Sequence, residues 1–295
     1  MLSFVSSVKV PAARPIPQSL KSMQVDVTTR MGALTPATPT ALPSLDRLLA
    51  GGLRTGTVMA VTGPSGIGRT AFVLLLAYIA ARSRAAVLFS SVSLDETEIM
   101  ARLAARALHR EHPDALTSYG AIWSGEAWQD DNMRRPVGLA VETVVQKVGP
   151  MLHVHRARPF EPLSTLVGLA AQLWERHERV VVVVDDVEAF SASAAKGTQA
   201  DRVTHVAFEL RQAAENGCAV VLTALSRHAD WVAPAATLAA EIRSVSQAPV
   251  PMDDRLLALG ARPVELVITK NRVGPTGIVP LSFVPGAATF EERAP

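Results

Sequence analysis

The sequence predicts an α/β fold, with a mostly parallel central sheet covered by helices on both faces. Three observations carry that prediction. From Pro43 onward, short apolar runs alternate with segments of helical periodicity, the pattern of parallel strands joined by helical crossovers. The run Val180-Val181-Val182-Val183-Val184 is wholly β-branched, as suits a central strand buried on both sides. A glycine-rich loop, Gly63 to Thr70, lies between a strand-like run and a helix-like run.

Taken in order, residues 1–36 are rich in Pro, Ser and Thr and read as an extension or linker. One short helix is expected there, over Gln18–Met31. Residues 37–295 read as one α/β domain. Its expected strands are Thr57–Thr62, Ala86–Val92, Met151–His155, Val180–Asp185, Ala219–Thr223, Val264–Thr269 and Ile278–Phe283. Its expected helices are Thr70–Ala81, Glu96–His109, Val137–Val148, Pro162–Arg176, Asp201–Asn216 and Trp231–Ile242. Arg243–Arg262 lacks periodicity and reads as a surface loop. No internal repeat is present.

Composition narrows the function classes. At 295 residues, 48% hydrophobic and 19% charged, the chain is globular and long enough for a large core. Lys+Arg number 29 and Asp+Glu 27, a balance that neither requires nor excludes nucleic acid. The 1 Cys, Cys218, excludes an internal disulfide and reads as a small buried hydrophobe. No apolar run is long enough to cross a bilayer, and the first residues lack the basic and apolar regions of a signal peptide. A cytoplasmic protein without a membrane partner is expected.

Chemistry begins at the loop Gly63-Pro64-Ser65-Gly66-Ile67-Gly68-Arg69-Thr70. It fits the phosphate-binding pattern G-x-x-x-x-G-K-[ST] at every fixed position but one, where Arg69 stands for lysine. Glycines there let backbone N–H groups point at phosphate oxygens, and the helix dipole adds to the attraction. Thr70 supplies the hydroxyl that holds Mg²⁺ beside ATP. The competing reading is an ordinary Gly-rich turn. A second signal is Asp185-Asp186, ending the Val180 strand. In this architecture Asp185 is placed to hold the magnesium shell and Asp186 to orient a water. An acid pair that merely ends the strand and caps a turn is the alternative.

Four segments, in order, resemble the C-terminal motor domain of DnaB-type replicative helicases. They are Pro39–Leu53, Val87–Arg102, Val180–Phe190 and Lys270-Asn271-Arg272-Val273-Gly274-Pro275-Thr276-Gly277, the last with Val279–Phe283 and Phe290-Glu291-Glu292 behind it. The resemblance runs from about Ala37 to Glu292, and the closing K-x-R-x-G-P-T-G segment is its most specific part. RadA and KaiC relatives share the fold and similar loops, but the Gly-Pro-Thr-Gly ending favours DnaB. The resemblance implies a RecA-like P-loop ATPase in a homo-oligomeric ring, with six subunits as one option. It also implies nucleotide between subunits and single-stranded DNA through the centre. Lys270 and Arg272 would then be trans-acting, with Arg272 an arginine finger for the charge on the transferring phosphoryl group. A solvated basic hairpin is the plainer reading of the same two residues.

Departures from the family bear on turnover. Arg69 is bulkier and planar where a compact ammonium is usual. Ser93 stands at the position of the family's catalytic glutamate and is no base near neutral pH. Asp95, Glu96 and Asp186 are the nearby acids. Ala224 stands where the family has a glutamine that senses the γ-phosphate. The family's basic segment after that strand is not recognisable in Arg227–Arg262. Binding of ATP and Mg²⁺ with slow or absent hydrolysis is the expectation. A working motor with relocated catalytic groups, a non-hydrolysing nucleotide-gated assembly protein and a RadA- or KaiC-like ATPase are the alternatives. Lys196, Arg202 and Arg227 are candidate DNA phosphate contacts, weighed against simple solvated cations. His153, His155, Arg156 and Arg158 form a weak metal or anion candidate.

Overall fold

The computed structural model describes residues 19–32, 37–112, 114–192, 197–246 and 254–293. The chain separates into two units, Met1–Thr35 and Pro36–Pro295. Within the first, α1 (Leu20–Gly32) forms the helix expected in the extension.

The second unit is built on one nine-stranded sheet. Its strands in chain order are β1 (Val58–Gly63), β2 (Ala86–Ser91), β3 (Leu152–Arg156), β4 (Val180–Asp185), β5 (Ala219–Leu225), β6 (Leu238–Ser244), β7 (Arg262–Asn271), β8 (Gly277–Val284) and β9 (Thr289–Glu292). Their spatial order is β9-β8-β7-β6-β1-β5-β4-β2-β3. The six strands from β6 to β3 are mutually parallel, and β7, β8 and β9 extend the sheet antiparallel. A minor two-strand pair joins Glu161–Pro162 to Phe190–Ser191.

Alternation along each central strand feeds two cores. Val181 and Val183 face one side with Met59 and Val61. Val180, Val182 and Val184 face the other with Val58 and Ala60. This period of two is why an all-valine strand suits the sheet: each face needs an apolar partner. The first face is covered by α3 (Arg69–Arg82), α4 (Glu96–Glu111) and α5 (Asp131–Val148), the second by α6 (Leu163–Trp174) and α7 (Gln199–Gly217). α3 is apolar all round and buried from Ala71 to Ala81, so it sits inside the core layer and not on the surface. Cys218 is buried as expected, and burial pushes its thiol up to about 12.

One expected helix is wrong. Trp231–Ile242 contains only the end of a short turn of helix, Ala229–Val232, and then β6. β6 continues to Ser244 and β7 begins at Arg262, so the expected loop Arg243–Arg262 is strand at both ends. The residues of β6, Leu-Ala-Ala-Glu-Ile, favour helix intrinsically. Pairing between β1 and β7 overrides that preference and buries Leu238, Ala240 and Ile242. α5 starts at Asp131 and not at Val137, capped by the Asp130 carboxylate on the Asn132 amide, and it carries Pro136 within it.

Candidate functional site

The carboxyl ends of β1, β2, β4 and β5 meet at one edge of the sheet, where the Gly63–Thr70 loop turns into α3. Gly66 and Gly68 have φ of +76° and +102°, so the loop needs glycine at both. The Phe283 ring covers Gly68 so closely that a Cβ there would lie 2.8 Å from it. Arg262 stacks over the same ring at 5.2 Å and donates to the Gly66 carbonyl, which braces the loop from β7. α3 has no side-chain N-cap. Its first N–H groups therefore face the loop without a side-chain acceptor, as an anion site requires.

Asp185 is brought beside Thr70, as the two motifs predict. The Thr70 hydroxyl lies 3.1 and 3.0 Å from the Asp185 carboxylate oxygens. Asp185 is 1% exposed. Burial, then the neighbouring Asp186 charge, raise its carboxyl from 3.8 to about 6. The Thr223 hydroxyl stands 2.8 Å from Asp185 Oδ1 and 2.5 Å from Asp186 Oδ1. A hydroxyl has one hydrogen, so it can donate to one carboxylate at a time. Ser91 completes the set, 3.4 Å from Asp185 Oδ2. Neither Ser91 nor Thr223 stands out in sequence, since each is an ordinary polar residue near a strand end. The signal that could have found them is register: Ser91 pairs with Asp185 across β2 and β4.

Arg69 turns toward Asp186, with Nη1 3.5 Å from Oδ1. That same nitrogen is buried and lacks a hydrogen-bond partner among the described residues. A buried guanidinium nitrogen without an acceptor is costly, and a phosphate oxygen would satisfy it. Together with the uncapped α3 and the buried Thr70–Asp185 pair, the residues fit a nucleotide phosphate chain with a divalent cation.

The nearby acids are otherwise occupied. Asp95 accepts from the Glu98 amide at 2.8 Å as the N-cap of α4. Glu96 lines a separate apolar recess with Trp123 and Trp128. Ser93 Oγ lies 3.2 Å from Ser91 Oγ. Ser93 and Asp186 also face a cavity of about 330 Å³ with Glu188, Gln199, Arg227 and His228. Glu188 accepts from His228 Nδ1 at 2.5 Å, and Arg227 Nε lies 3.1 Å from His228 Nε2. Ala224 is buried and offers no polar group.

Lys270 and Arg272 lie elsewhere. β7 runs antiparallel to β6, so Asn271 pairs with Leu238, and Leu238 pairs with Met59 at the start of β1. The length of β1 from Met59 to Gly63 then separates that end from the loop, about 13 Å at about 3.3 Å per residue. The two cations thus sit at the opposite edge of the sheet from their own loop. Lys270 Nζ donates to the Ala233 carbonyl at 2.5 Å, and burial, with Arg272 and Arg211 nearby, lowers its ammonium. Arg272 is exposed.

Of the candidate DNA contacts, Lys196 lies outside the described residues. Arg202 donates to the Gly197 carbonyl, and Arg227 is exposed at the rim of the Glu188–His228 cavity. His155 pairs with Glu161 at 2.8 Å. Among the described residues no group of three His, Cys, Asp or Glu side chains could hold a metal ion, so the His153–His155 metal candidate lacks support. No described helix is long and apolar enough to cross a membrane.

No curated protein matches the sequence. Among solved structures, a DnaB-like replicative helicase, described with its interactions with primase, superposes with a TM-score of 0.74. It shares 15% identity over 95% of this chain and 68% of its own. A second solved structure, an ATPase domain, superposes at 0.73, with 16% identity over 93% of this chain and 99% of its own. Both share the α/β architecture derived above. The family model for the DnaB-like helicase C-terminal domain matches residues 37–292, and the chain belongs to that family.

Proposed function

We propose that this chain is the motor-type domain of a DnaB-like helicase that binds ATP and Mg²⁺, assembles as a ring on single-stranded DNA, and hydrolyses slowly or not at all. One observation carries the reading on turnover. Where the family places its glutamate, this chain has Ser93, and the acid facing the same cavity beside the loop, Asp186, is tied to Arg69 and Thr223. A carboxylate already engaged by the Thr223 hydroxyl and facing the Arg69 cation is less free to turn toward an attacking water.

Gly63, Pro64, Ser65, Gly66, Ile67 and Gly68 would surround the phosphates with backbone N–H groups, and Arg69 would give its unsatisfied nitrogen to an oxygen. Thr70 and Asp185 would hold the cation, which supplies charge neutralisation between phosphates when bound. Asp185 must be ionised for that role, so binding competes with a proton near pH 6. Ring assembly rests on the family, and the far-edge position of Lys270 and Arg272 is consistent with cations that act on a neighbour's nucleotide and not on their own. DNA contact rests on the family, with Arg202 and Arg227 as the described candidates.

Steady-state ATP hydrolysis, with and without single-stranded DNA, tests the reading beside a direct binding titration with a fluorescent ATP analogue. Measurable Mg²⁺-dependent binding with turnover about two to four orders of magnitude below a working motor is expected, the usual cost of losing a general base. DNA-stimulated turnover at ordinary motor rates would overturn it.

A further inference from the structure

A second charged cavity lies far from the phosphate loop. It measures about 300 Å³ and opens between the last turn of α3, the second half of α4, β9 and the segment Thr40–Leu42. Arg106 lies in its wall and is only 5% exposed. Its guanidinium stacks on the buried Tyr78 ring at 4.3 Å, and its Nε has no hydrogen-bond partner. Arg82 and Arg110 stand at the rim, exposed. Two carboxylates also line the cavity, but both are committed. Glu291 faces His109 Nε2 at 2.9 Å, and Glu292 accepts from the Ser44 amide at 3.1 and 3.2 Å.

Among the described residues no carboxylate lies within ion-pair distance of Arg82, Arg106 or Arg110, although the Arg110 charge acts on Glu291. The helix dipole explains Arg82 and Arg110, each near a helix C-terminus. It does not explain Arg106, which sits mid-helix and buried. A buried cation ordinarily has a counter-charge, because desolvation without one is costly. Burial, opposed by the Tyr78 hydroxyl and reinforced by Arg110 and Arg82, lowers the Arg106 guanidinium to about 10.

We infer that this cavity is a binding site for a small phosphate-bearing anion, held by Arg106 at its wall and by Arg82 and Arg110 at its mouth. Guanidinium groups match phosphate oxygens with paired donors. The volume is at the lower end for small-ligand sites. Nothing in the proposed nucleotide chemistry uses these residues.

The test is thermal unfolding of the full chain in inorganic phosphate and in pyrophosphate, against sodium chloride at equal ionic strength. Wild type, Arg69→Ala, Arg106→Met and the surface double variant Arg82→Ala/Arg110→Ala are compared. The Arg69 variant separates this site from the phosphate loop. At ten times Kd, stabilisation of about 3 to 5 °C is expected for a chain of this size. It should persist in Arg69→Ala, and on that background it should vanish when Arg106→Met is added and weaken about tenfold in apparent affinity when Arg82→Ala/Arg110→Ala is added. A larger shift with pyrophosphate than with phosphate would assign the site to a diphosphate group, and equal shifts to a single phosphate. A shift lost in Arg69→Ala but kept in both arginine-cavity variants would overturn the inference. So would a shift that chloride reproduces, or none at all. If Arg106→Met does not fold, the double variant decides.

Discussion

Replacing Asp185 with Asn should stabilise the nucleotide-free protein while abolishing Mg²⁺-dependent nucleotide binding. Asp185 is 1% exposed, and burial and Asp186 raise its carboxyl from 3.8 to about 6. The folded state therefore holds a proton that the unfolded chain releases between those two values. Stability falls as pH rises through that window and levels off above it. A shift of about two units corresponds to about 2 kcal/mol of destabilisation at pH 8 relative to pH 4, since the unfolded carboxyl is already half ionised at pH 4. Asparagine carries no charge at either pH and keeps an acceptor for the Thr70 and Thr223 hydroxyls. Urea unfolding without Mg²⁺ measures the effect. The Asn variant should gain about 1 to 3 kcal/mol over wild type at pH 8 and little or nothing at pH 4. A variant less stable than wild type at pH 8 would mean that the carboxylate is stabilising in its ionised form, and the charge analysis of the site would be wrong.

Further outcomes are expected from the same geometry. Arg69→Lys alone should restore little hydrolysis, because Ser93 still supplies no carboxylate; substantial ATPase in that single variant would refute this. Gly68→Ala should cost about 1 to 3 kcal/mol in urea unfolding, since the residue has φ of +102° and its Cβ would meet the Phe283 ring at 2.8 Å; an unchanged midpoint would show that the ring yields freely. Mg²⁺-dependent nucleotide affinity should fall about tenfold per pH unit below about pH 6, where Asp185 takes up its proton; calorimetry at pH 5 and pH 7 reads this, and equal affinities would remove Asp185 from the metal position.

Much of this site is legible in the sequence because its motifs are local. The glycine loop, Thr70 and Asp185 each announce themselves through a short pattern and a strand context, and the sheet brings Thr70 and Asp185 within 3.0 Å. The polar residues that complete the site belong to no pattern. Ser91 and Thr223 matter because strand register sets them against Asp185, and register is a property of pairing between distant segments. β6 departs from its expected helix for the same reason. Its alanine-rich sequence favours helix locally, while the free backbone edges of β1 and β7 decide the outcome. The capping role of Asp95 likewise depends on where α4 starts, since the same acid could equally have faced the loop.

The departures are not spread evenly over the molecule, and that unevenness leads to a last prediction. The edge that carries the phosphate loop has Arg69 and Ser93 where the proposed reading expects a lysine and a glutamate. The opposite edge keeps both cations of the K-x-R segment, with Lys270 anchored on the Ala233 carbonyl and Arg272 exposed. If rings form as proposed, each edge meets a different neighbour. A subunit of this kind can then complete a neighbour's site more readily than it can use its own. In rings mixed with a hydrolysing DnaB-type subunit, Arg272→Ala in this chain should lower total turnover, while Arg69→Ala should leave it nearly unchanged. An arginine finger contributes about 10³ to 10⁵ in rate, so the Arg272 effect should be plain at each mixed interface. Nucleotide binding by this chain alone should be the same in wild type and in the Arg272 variant, because at least about 13 Å of strand separates that residue from its own loop. Mixed rings with turnover insensitive to Arg272, or sensitive instead to Arg69, would refute the division of roles between the two edges.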